Sequence, residues 1–310
     1  MEPQKATSAA TDVLSRQTVT LRKLSVIVLS YNTRETTIRC IRSLFKHAPT
    51  TAELETVVID NASSDGSAEA IARLFPRIKL IRNAKNRGFA AACNQGIRSS
   101  DGDILLLLNS DTELTDQSLD IMLDFLERNS DVGIAGGAMI GPDGRHQTSC
   151  QHYPSYTNLL FSKQSLFMSF KAFRKKYSKY RRIPGAITDV DAVAGGFLFI
   201  RREALRKVGL LDERFFFYVE DVDLAKRMTD AGWRVVYVPA AKILHYGGKS
   251  TSLKPAKSYW WHHRSLYRYF KKHYGKYWLL NFFLGLGLLG HFVFWWIFSR
   301  SFGNGNGSEK

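Results

Sequence analysis

Residues 25–32 read Ser-Val-Ile-Val-Leu-Ser-Tyr-Asn, an apolar run that ends in three polar residues. The pattern recurs three more times, and helix-length segments lie between the apolar runs. The predicted strands are Ser25–Leu29, Thr56–Ile59, Ile78–Ile81 and Ile104–Leu108, and the predicted helices cover 34–47, 67–75 and 89–99. Strands that alternate with helices are typical of right-handed crossovers and a parallel sheet covered on both faces. This half of the chain therefore predicts an α/β fold.

Polar side chains follow all four predicted strands. The sets are Ser30-Tyr31-Asn32, Asp60-Asn61, Asn83 to Arg87 and Asn109-Ser110-Asp111. In a parallel sheet, ligands bind outside the carboxyl ends of the strands. Each set alone is also explained by turn formation, for which Asn, Asp and Ser are the usual residues. Four such sets at one edge of a sheet indicate a binding site.

Two phosphate-binding motifs are not supported. No Gly-x-Gly-x-x-Gly follows the first predicted strand, which argues against a dinucleotide fold of the dehydrogenase type. Residues 247–250 resemble the end of a P-loop, but the opening glycine of that motif would fall at Ile243. The cysteines at 40, 93 and 150 share no metal-ligand spacing, so neither a disulfide framework nor a zinc site is expected.

The second half of the chain is less regular. Its predicted elements are a strand at 132–140, a hairpin turn at 141–144, a strand at 191–200, a short helix at 202–207, a strand at Arg234–Val238, and the segment 239–246 that carries His245. Gly195 and Gly196 interrupt the apolar strand, which is typical of a place where a ligand or another backbone comes close.

An acidic helix start follows an aromatic run at 215–218. Glu220, Asp221 and Asp223 lie on the first turn of a predicted helix that Gly232 ends. Acids favour the positive end of a helix dipole, and Asp223 is spaced to pair with Arg227 one turn on. A carboxylate in an apolar cleft can also take a proton from an alcohol. We interpret Asp221 as a candidate base and Asp223 as part of an ion pair.

The chain is strongly basic, with a formal net charge of +16 over 310 residues. Such a charge is typical of proteins that meet phosphate, in nucleic acid, in nucleotides or at an anionic membrane. Residues 163–182 hold many Lys, Arg and aromatic residues and no acid. This mixture can bind single-stranded nucleic acid or an anionic membrane, and a solvated loop is the alternative.

The two ends of the chain have distinct compositions. Residues 1–22 lack the apolar core of a signal peptide and are predicted to be a disordered leader. Residues 279–298 carry no charge and are long enough to cross a hydrocarbon layer of about 30 Å. Basic residues crowd the predicted helix at 251–276, so the globular part is expected in the cytoplasm. Segment 277–299 is expected to span the membrane or to lie in its interface, with a buried core helix as the third alternative, before a tail at 300–310.

With these residues placed, the sequence resembles the family 2 glycosyltransferases, in particular their bacterial rhamnosyltransferase-like branch. The resemblance covers roughly residues 24–250 and depends on five motifs in order. They are residues 26–32, 58–67, 86–90, 107–112 and 217–224. It implies a single α/β domain of the GT-A type over 23–250, with a Rossmann-like nucleotide half, a mixed and mostly parallel sheet, and a C-terminal membrane-associated helix.

The resemblance also implies roles, residue by residue. Ser30 and Asn32 would line the nucleotide pocket, Asp60 would bind the base, and Arg87 would bind the base or a phosphate. Asp111 and His245 would bind a Mg²⁺ or Mn²⁺ ion. Asp221 would be the catalytic base, and Gly195, Gly196 and Glu220 would lie in the acceptor region. Asn109 stands where the general metal motif has its first aspartate, which weakens the expectation of strict metal dependence. Ser110 stands where close relatives often have proline. For His245, a core or turn role is the alternative.

The implied activity is an inverting transfer of L-rhamnose or another hexose from a nucleoside-diphosphate sugar. The implied acceptor is a saccharide, carried on a polyprenyl diphosphate, in the synthesis of a cell-surface polysaccharide. Such an acceptor places the protein at the cytoplasmic face of the inner membrane, against an anionic surface and without a nucleic-acid partner. A nucleotidyltransferase would need a glycine-rich basic loop after the first strand, and residues 30–33 are not such a loop. A non-catalytic membrane-binding protein on the same fold would not need Asp221.

Overall fold

The computed structural model describes residues 23–160, 184–247 and 255–303. The predicted leader, the basic aromatic segment 163–182, the P-loop-like residues 248–250 and the last seven residues of the tail, 304–310, lie outside these ranges.

The first half of the chain alternates strands and helices as expected. Its elements are β1 (Lys23–Ser30), α1 (Arg34–Lys46), β2 (Glu53–Asp60), α2 (Ser67–Leu74), β3 (Lys79–Arg82), α3 (Phe89–Arg98) and β4 (Ile104–Asn109). β1 pairs in parallel with β2 and with β4, and β2 pairs in parallel with β3. The predicted parallel arrangement of these four strands is confirmed.

The second half adds shorter strands and the C-terminal helices. Its elements are β5 (Thr112–Leu114), α4 (Ser118–Arg128), β6 (Val132–Ile140), β7 (His146–Gln147), β8 (Cys150–Gln151), α5 (Tyr156–Leu160), β9 (Thr188–Asp189), β10 (Ala192–Val193), β11 (Phe197–Arg201), α6 (Arg202–Val208), α7 (Glu220–Asp230), β12 (Arg234–His245), α8 (Pro255–His273) and α9 (Trp278–Gly303).

One mixed sheet joins the two halves. Its main path runs β3-β2-β1-β4-β11-β6-β12-β5, with β7 on β6 and β9 on β12. β11 is antiparallel to both β4 and β6, whereas β12 is parallel to β6. β8 and β10 form a separate two-stranded sheet. The expected mixed, mostly parallel α/β sheet is therefore present.

Two predicted strands differ in their limits. The run 191–200 is not one strand, because the chain turns at residues 194–196 between β10 and β11, which belong to different sheets. The strand expected to end at Val238 continues to His245 through a register shift between Val238 and Lys242. Pro239 has no N–H to donate, and an irregularity of the bulge type lets a strand pass such a residue.

Alternate residues of the central strands supply two hydrophobic cores on opposite faces of the sheet. Ile27 belongs to the core under α3, α7 and α8. Its neighbours Val26 and Val28 belong to the core under α1, α2 and α4. Burial on both faces explains why these strands read as unbroken apolar runs.

A buried carboxylate ties α8 to α7. Asp223 has no exposed surface, and its Oδ2 accepts hydrogen bonds from Arg227 Nε and Lys272 Nζ, both at 2.9 Å. His273 Nε2 lies 2.8 Å from the other carboxylate oxygen. Burial alone would raise the pKa of Asp223, but the bonds from His273 and Lys272 and the charge of Arg227 outweigh it and lower that pKa. The expected Asp223–Arg227 pair is confirmed, and α8 supplies two further partners.

Replacing this carboxylate tests how firmly α8 is attached. Asp223→Asn should lower the free energy of unfolding by roughly 3–5 kcal/mol, because it leaves partly buried cations without their counter-charge. Asp124→Asn is the matched control, since Asp124 pairs with Arg128 at the same i,i+4 spacing on an exposed surface. The control should cost less than about 0.5 kcal/mol. Equal losses in thermal or urea unfolding of the two variants would contradict this account of α8.

Candidate active site

The polar strand ends meet at one cavity of about 630 Å³. Residues from all four predicted sets line it, namely Tyr31, Asn32, Asn61, Asn86, Asn109, Ser110 and Asp111. An aromatic wall from the run 215–218 lies beside them, and α8 adds Lys257, Trp260 and Trp261. The rings of Phe216 and Trp261 are stacked with their centroids 4.2 Å apart. The expected convergence of strand-end residues is confirmed.

Amide side chains fix the loop that follows β3. Asn61 Nδ2 donates to Asn86 Oδ1 at 3.0 Å, and Asn61 Oδ1 accepts from Asn83 Nδ2 and from the Arg87 backbone N–H. The Arg87 side chain itself is exposed and does not line the cavity. Its backbone is therefore held in place while its side chain is exposed, near enough to Glu213 for its charge to lower the pKa of that acid.

Two predicted nucleotide contacts are buried at the sheet edge. Asp60 is 3% exposed and does not line the cavity; its Oδ2 accepts from the Ser63 backbone N–H, whereas its buried Oδ1 has no hydrogen-bond partner among the described residues. An orphaned buried acceptor is costly, and a donor from a ligand would satisfy it. Ser30 is fully buried, and its hydroxyl contacts Thr33 and Thr37. Ser30 thus lies behind the cavity wall, which corrects its expected placement in the lining.

Asn32 does line the cavity, on a backbone in the left-handed region at φ 52°. Its Oδ1 accepts from the Ser64 backbone N–H at 2.7 Å, and its own N–H donates to Ser63 Oγ. Asn tolerates this conformation better than most residues. These bonds hold the turn after β2 against the turn after β1.

Asp111 and His245 come together at one wall of the cavity. His245 ends β12, whose antiparallel pairing with β5 places it opposite Thr112. Tyr246 N donates to the Asp111 backbone oxygen at 2.9 Å, and His245 Nε2 lies 3.5 Å from Asp111 Oδ1. The two side chains are thus neighbours although they are far apart in sequence, and their expected role as metal ligands stays a prediction.

Gln147 determines which nitrogen of His245 carries the proton. Its Nε2 donates to the His245 backbone oxygen at 2.9 Å, so its Oε1 faces His245 Nδ1 at 2.6 Å. A carbonyl oxygen only accepts, so Nδ1 carries a hydrogen, and in the neutral ring Nε2 then presents a lone pair towards Asp111. No motif identifies Gln147 in the sequence; only the β6–β7 hairpin brings it beside β12.

The residues present fit a divalent cation. A lone pair and a carboxylate 3.5 Å apart repel each other unless a cation or proton lies between them. Two adjacent ligands of an octahedral Mg²⁺ or Mn²⁺ ion with bonds of about 2.1 Å lie about 3 Å apart. Within the described part of the chain no group of three or more His, Cys, Asp or Glu could hold a metal. Other ligands would have to come from a substrate phosphate and water, as Mg²⁺ commonly accepts.

The turn before α7 delivers Asp221 on a strained backbone. Tyr218 and Val219 have left-handed φ angles of 68° and 71°. Such an angle is rare for a β-branched residue such as Val219. Asp221 is half-buried, and its carboxylate accepts from the backbone N–H groups of Gly195 at 2.9 Å and Val222 at 2.8 Å. Burial raises the pKa of Asp221, partly opposed by these bonds. A carboxylate with a raised pKa is better matched to proton abstraction near neutral pH.

Gly195 and Gly196 connect this acid to the Asn109-Ser110-Asp111 triplet. A Cβ on Gly195 would lie 3.6 Å from the Asp221 carboxylate, and one on Gly196 would lie 2.9 Å from Asn109 Nδ2. Asn109 N also donates to the Gly196 oxygen at 3.1 Å. The close neighbour at Gly196 is thus a side chain and not a ligand or another backbone, and the expected role of both glycines in the acceptor region stays a prediction. Through Gly195 and Gly196, Asp221 is connected to Asn109.

Glu220 occupies a different environment from its neighbour. It is 5% exposed whereas Asp221 is half-buried, and its Oε2 has no hydrogen-bond partner among the described residues; neither acid is among the residues that line the cavity. Burial, and then the charge of Asp221, raise the pKa of Glu220 well above its ordinary value. Glu220 is therefore a buried acid beside Asp221, and its expected place in the acceptor region stays a prediction.

The fold and the site together define a glycosyltransferase of the GT-A type. The chain belongs to glycosyl transferase family 2, whose family model matches residues 25–209.

Two curated relatives are rhamnosyltransferases. The chain is 30% identical over 267 residues to the N-acetylglucosaminyl-diphospho-decaprenol L-rhamnosyltransferase of Mycobacterium tuberculosis H37Rv, covering 82% of this chain and 86% of the relative. It is 26% identical over 174 residues to rhamnosyltransferase WbbL of Escherichia coli K12, covering 56% and 63%.

Solved structures share the fold. The mannosyltransferase PcManGT of Pyrobaculum calidifontis, in complex with GDP-Man and Mn²⁺, aligns with a TM-score of 0.55 at 20% identity, over 84% of this chain and 66% of that one. GalNAc-T7 with UDP, GalNAc and Mn²⁺ aligns with a TM-score of 0.54 at 18% identity, over 73% and 44%.

Nuclear magnetic resonance can test the tautomer of His245. In histidine-labelled, metal-free protein at about pH 8, where an ordinary histidine is neutral, His245 should carry its proton on Nδ1. Gln147→Ala should shift the ring towards the Nε2-protonated form, whereas Gln151→Ala, a glutamine that contacts Asp221 instead, should not. The His245→Gln variant assigns the signal. A proton on Nε2 in the unmodified protein would contradict the role given to Gln147.

Proposed function

We propose that the chain is an inverting glycosyltransferase that moves L-rhamnose or another hexose from a nucleoside-diphosphate sugar to a saccharide on a polyprenyl diphosphate. The observation that carries this proposal is the Gly195-Gly196 link, which sets the Asp221 carboxylate beside the triplet that ends in Asp111. One acid with a raised pKa and one candidate cation site thus lie on adjacent stretches of backbone. Those are the two parts that a displacement at an anomeric carbon needs.

The nucleotide would bind at the edge formed by β1, β2 and β4. Asn32 offers its amide to the cavity, and the buried Oδ1 of Asp60, next to the lining residue Asn61, is an acceptor that would suit an N–H donor of a pyrimidine base. Asp111 and His245 would hold the Mg²⁺ or Mn²⁺ ion. When bound, such an ion supplies positive charge against which a diphosphate can leave.

Asp221 would then act on the acceptor. Its carboxylate takes the proton of the acceptor hydroxyl as the hydroxyl oxygen bonds to the anomeric carbon. The bond from that carbon to the diphosphate oxygen breaks, and its electron pair leaves with the nucleoside diphosphate. Attack from the face opposite the leaving group inverts the configuration at the anomeric carbon. The N–H groups of Gly195 and Val222 keep the carboxylate oriented for this transfer.

Several features support a lipid-linked saccharide acceptor. The name of the M. tuberculosis relative specifies a decaprenol-linked acceptor and an L-rhamnosyl group. In the present chain, Lys257 and the rings of Trp260 and Trp261 border the cavity. A lysine suits a diphosphate, and aromatic rings suit the apolar faces of sugars. The net charge of +16 favours an anionic membrane surface, at the cytoplasmic face.

The general base can be tested by a single-atom change. Asp221→Asn should lower kcat by about 10²- to 10⁴-fold with sugar-nucleotide affinity retained, because the amide keeps its size but cannot accept the proton. Asp230→Asn is the control at the other end of the same helix, where Asp230 pairs with Lys226. Turnover by Asp221→Asn at the control's rate would contradict the proposal.

Metal binding can be measured without turnover. Asp111→Asn should abolish most Mn²⁺ binding in the presence of thymidine or uridine diphosphate. Binding is measured from the electron paramagnetic resonance signal of free Mn²⁺. Gln147→Ala should weaken that binding roughly 10- to 100-fold, as loss of an orienting partner does at histidine metal sites. Gln151→Ala should bind Mn²⁺ normally. Unchanged binding by Asp111→Asn would place any metal elsewhere.

A further inference from the structure

One side of α9 is packed against the protein along most of its length. Asn281 accepts a hydrogen bond from Tyr156 and donates to the Tyr274 backbone oxygen. Leu284 and Leu288 pack on the main core, and a Cβ on Gly285 would lie 3.1 Å from the Tyr267 ring. Further on, the ring of Trp295 stacks on Tyr259 at 4.5 Å. These contacts recur every three to four residues, which is one face of a helix.

The helix that α9 packs on cannot separate from the catalytic domain without unfolding part of it. α8 buries Tyr269 and Phe270 completely in the core beneath the sheet. Ser265 Oγ donates to the backbone oxygen of Phe217, in the aromatic wall of the active site. Lys272 and His273 bind the buried Asp223. α9 is therefore held alongside the globular body by a helix that belongs to the active site.

The opposite side of α9 is exposed and almost entirely apolar. Its large apolar residues that are 50–60% exposed are Leu279, Leu280, Phe282, Phe283, Leu286, Leu289, Phe294 and Ile297. By length and composition, Trp278–Ile297 is the one candidate membrane span among the described residues, and only 6% of this stretch is buried. Lys271 in the last turn of α8 and Lys276 in the turn before α9 are exposed, where anionic headgroups would meet them.

α8 and α9 run antiparallel, because the start of α9 meets Tyr274 and its later turns meet Tyr259. If α9 crossed a bilayer with these contacts kept, the charged residues of α8, Arg264 and Arg268 among them, would lie at the depth of the hydrocarbon. If α9 left α8 in order to cross, the amide of Asn281 would lose both of its partners inside the membrane. Either arrangement is costly.

We propose that α9 lies within one leaflet of the membrane, along the catalytic domain, and does not cross the bilayer. The exposed apolar side faces acyl chains, and the packed side takes the place that a polar face has in an ordinary interfacial helix. This inference deepens the membrane location given under the proposed function and depends on that location, but not on the chemistry assigned to Asp221.

The arrangement also sets the position of the cavity mouth. Trp260 lines the cavity, is 38% exposed, and its ring lies 5.1 Å from that of Phe292 on α9. A helix in the leaflet would therefore hold the mouth at the lipid surface. An acceptor whose lipid stays in the same leaflet could then present its diphosphate to Lys257 without leaving the membrane.

Cysteine accessibility distinguishes a helix in one leaflet from one that spans. The full chain, with Cys150→Ser to remove the half-buried native thiol, is expressed in bacteria, and everted membrane vesicles expose the cytoplasmic face. Three variants of this protein, each with one introduced cysteine beside the buried Cys40 and Cys93, are treated with a membrane-impermeant maleimide before and after detergent. Ser308→Cys reports the tail beyond α9, Leu286→Cys reports the exposed side of α9, and Arg73→Cys reports the catalytic domain itself.

The proposal predicts that Ser308→Cys and Arg73→Cys react equally in intact vesicles, whereas Leu286→Cys reacts only after detergent. Protection of Ser308→Cys beside a reactive Arg73→Cys would mean that α9 spans, and would overturn the proposal. A reactive Leu286→Cys in intact vesicles would also overturn the proposal, because the apolar side of α9 would then contact something other than lipid. Protein that fails to float with the vesicles and elutes as a dimer would overturn it for the same reason. None of these readouts requires turnover, so they stand apart from the test of Asp221.

Discussion

The antiparallel pairing of β11 with β4 is the constraint on which the site depends. It continues past the strands through the bond from Asn109 N to the Gly196 oxygen, which presses Gly196 against the Asn109 side chain. Gly195 is thereby fixed under the Asp221 carboxylate. The nucleotide side of the sheet and the helix that carries the candidate base are thus joined by two glycines, and at Gly196 the Asn109 side chain leaves no room for a Cβ.

Two acids on the first turn of α7 illustrate how environment separates their roles. Asp223 is surrounded by cations from α7 and α8, so its pKa falls and it acts as an anchor. Asp221 receives only backbone N–H groups and one long amide contact, so burial dominates and its pKa rises. Neighbouring carboxylates whose pKa values move apart are typical of sites where one acid reacts and another supports it.

Local patterns in the sequence were enough for the elements that depend on local physics. The strands β1 to β4 read as apolar runs because both of their faces are buried, and Asp223 pairs with Arg227 because i and i+4 are neighbours on a helix. Long-range contacts left no such pattern. Gln147 and Lys272 reach their partners only through the folded topology, and nothing in the sequence distinguishes a buried Ser30 hydroxyl from one that lines a pocket.

A crystal structure of the protein with a non-transferable donor, such as a nucleoside-diphospho-2-fluoro sugar, and Mn²⁺ tests the central claim most directly. The account predicts that the diphosphate lies beside Asp111 and His245 and that the face of the anomeric carbon opposite the diphosphate points towards the Asp221 carboxylate. A donor whose diphosphate binds at Lys257 instead, or whose anomeric carbon points away from Asp221, would contradict it.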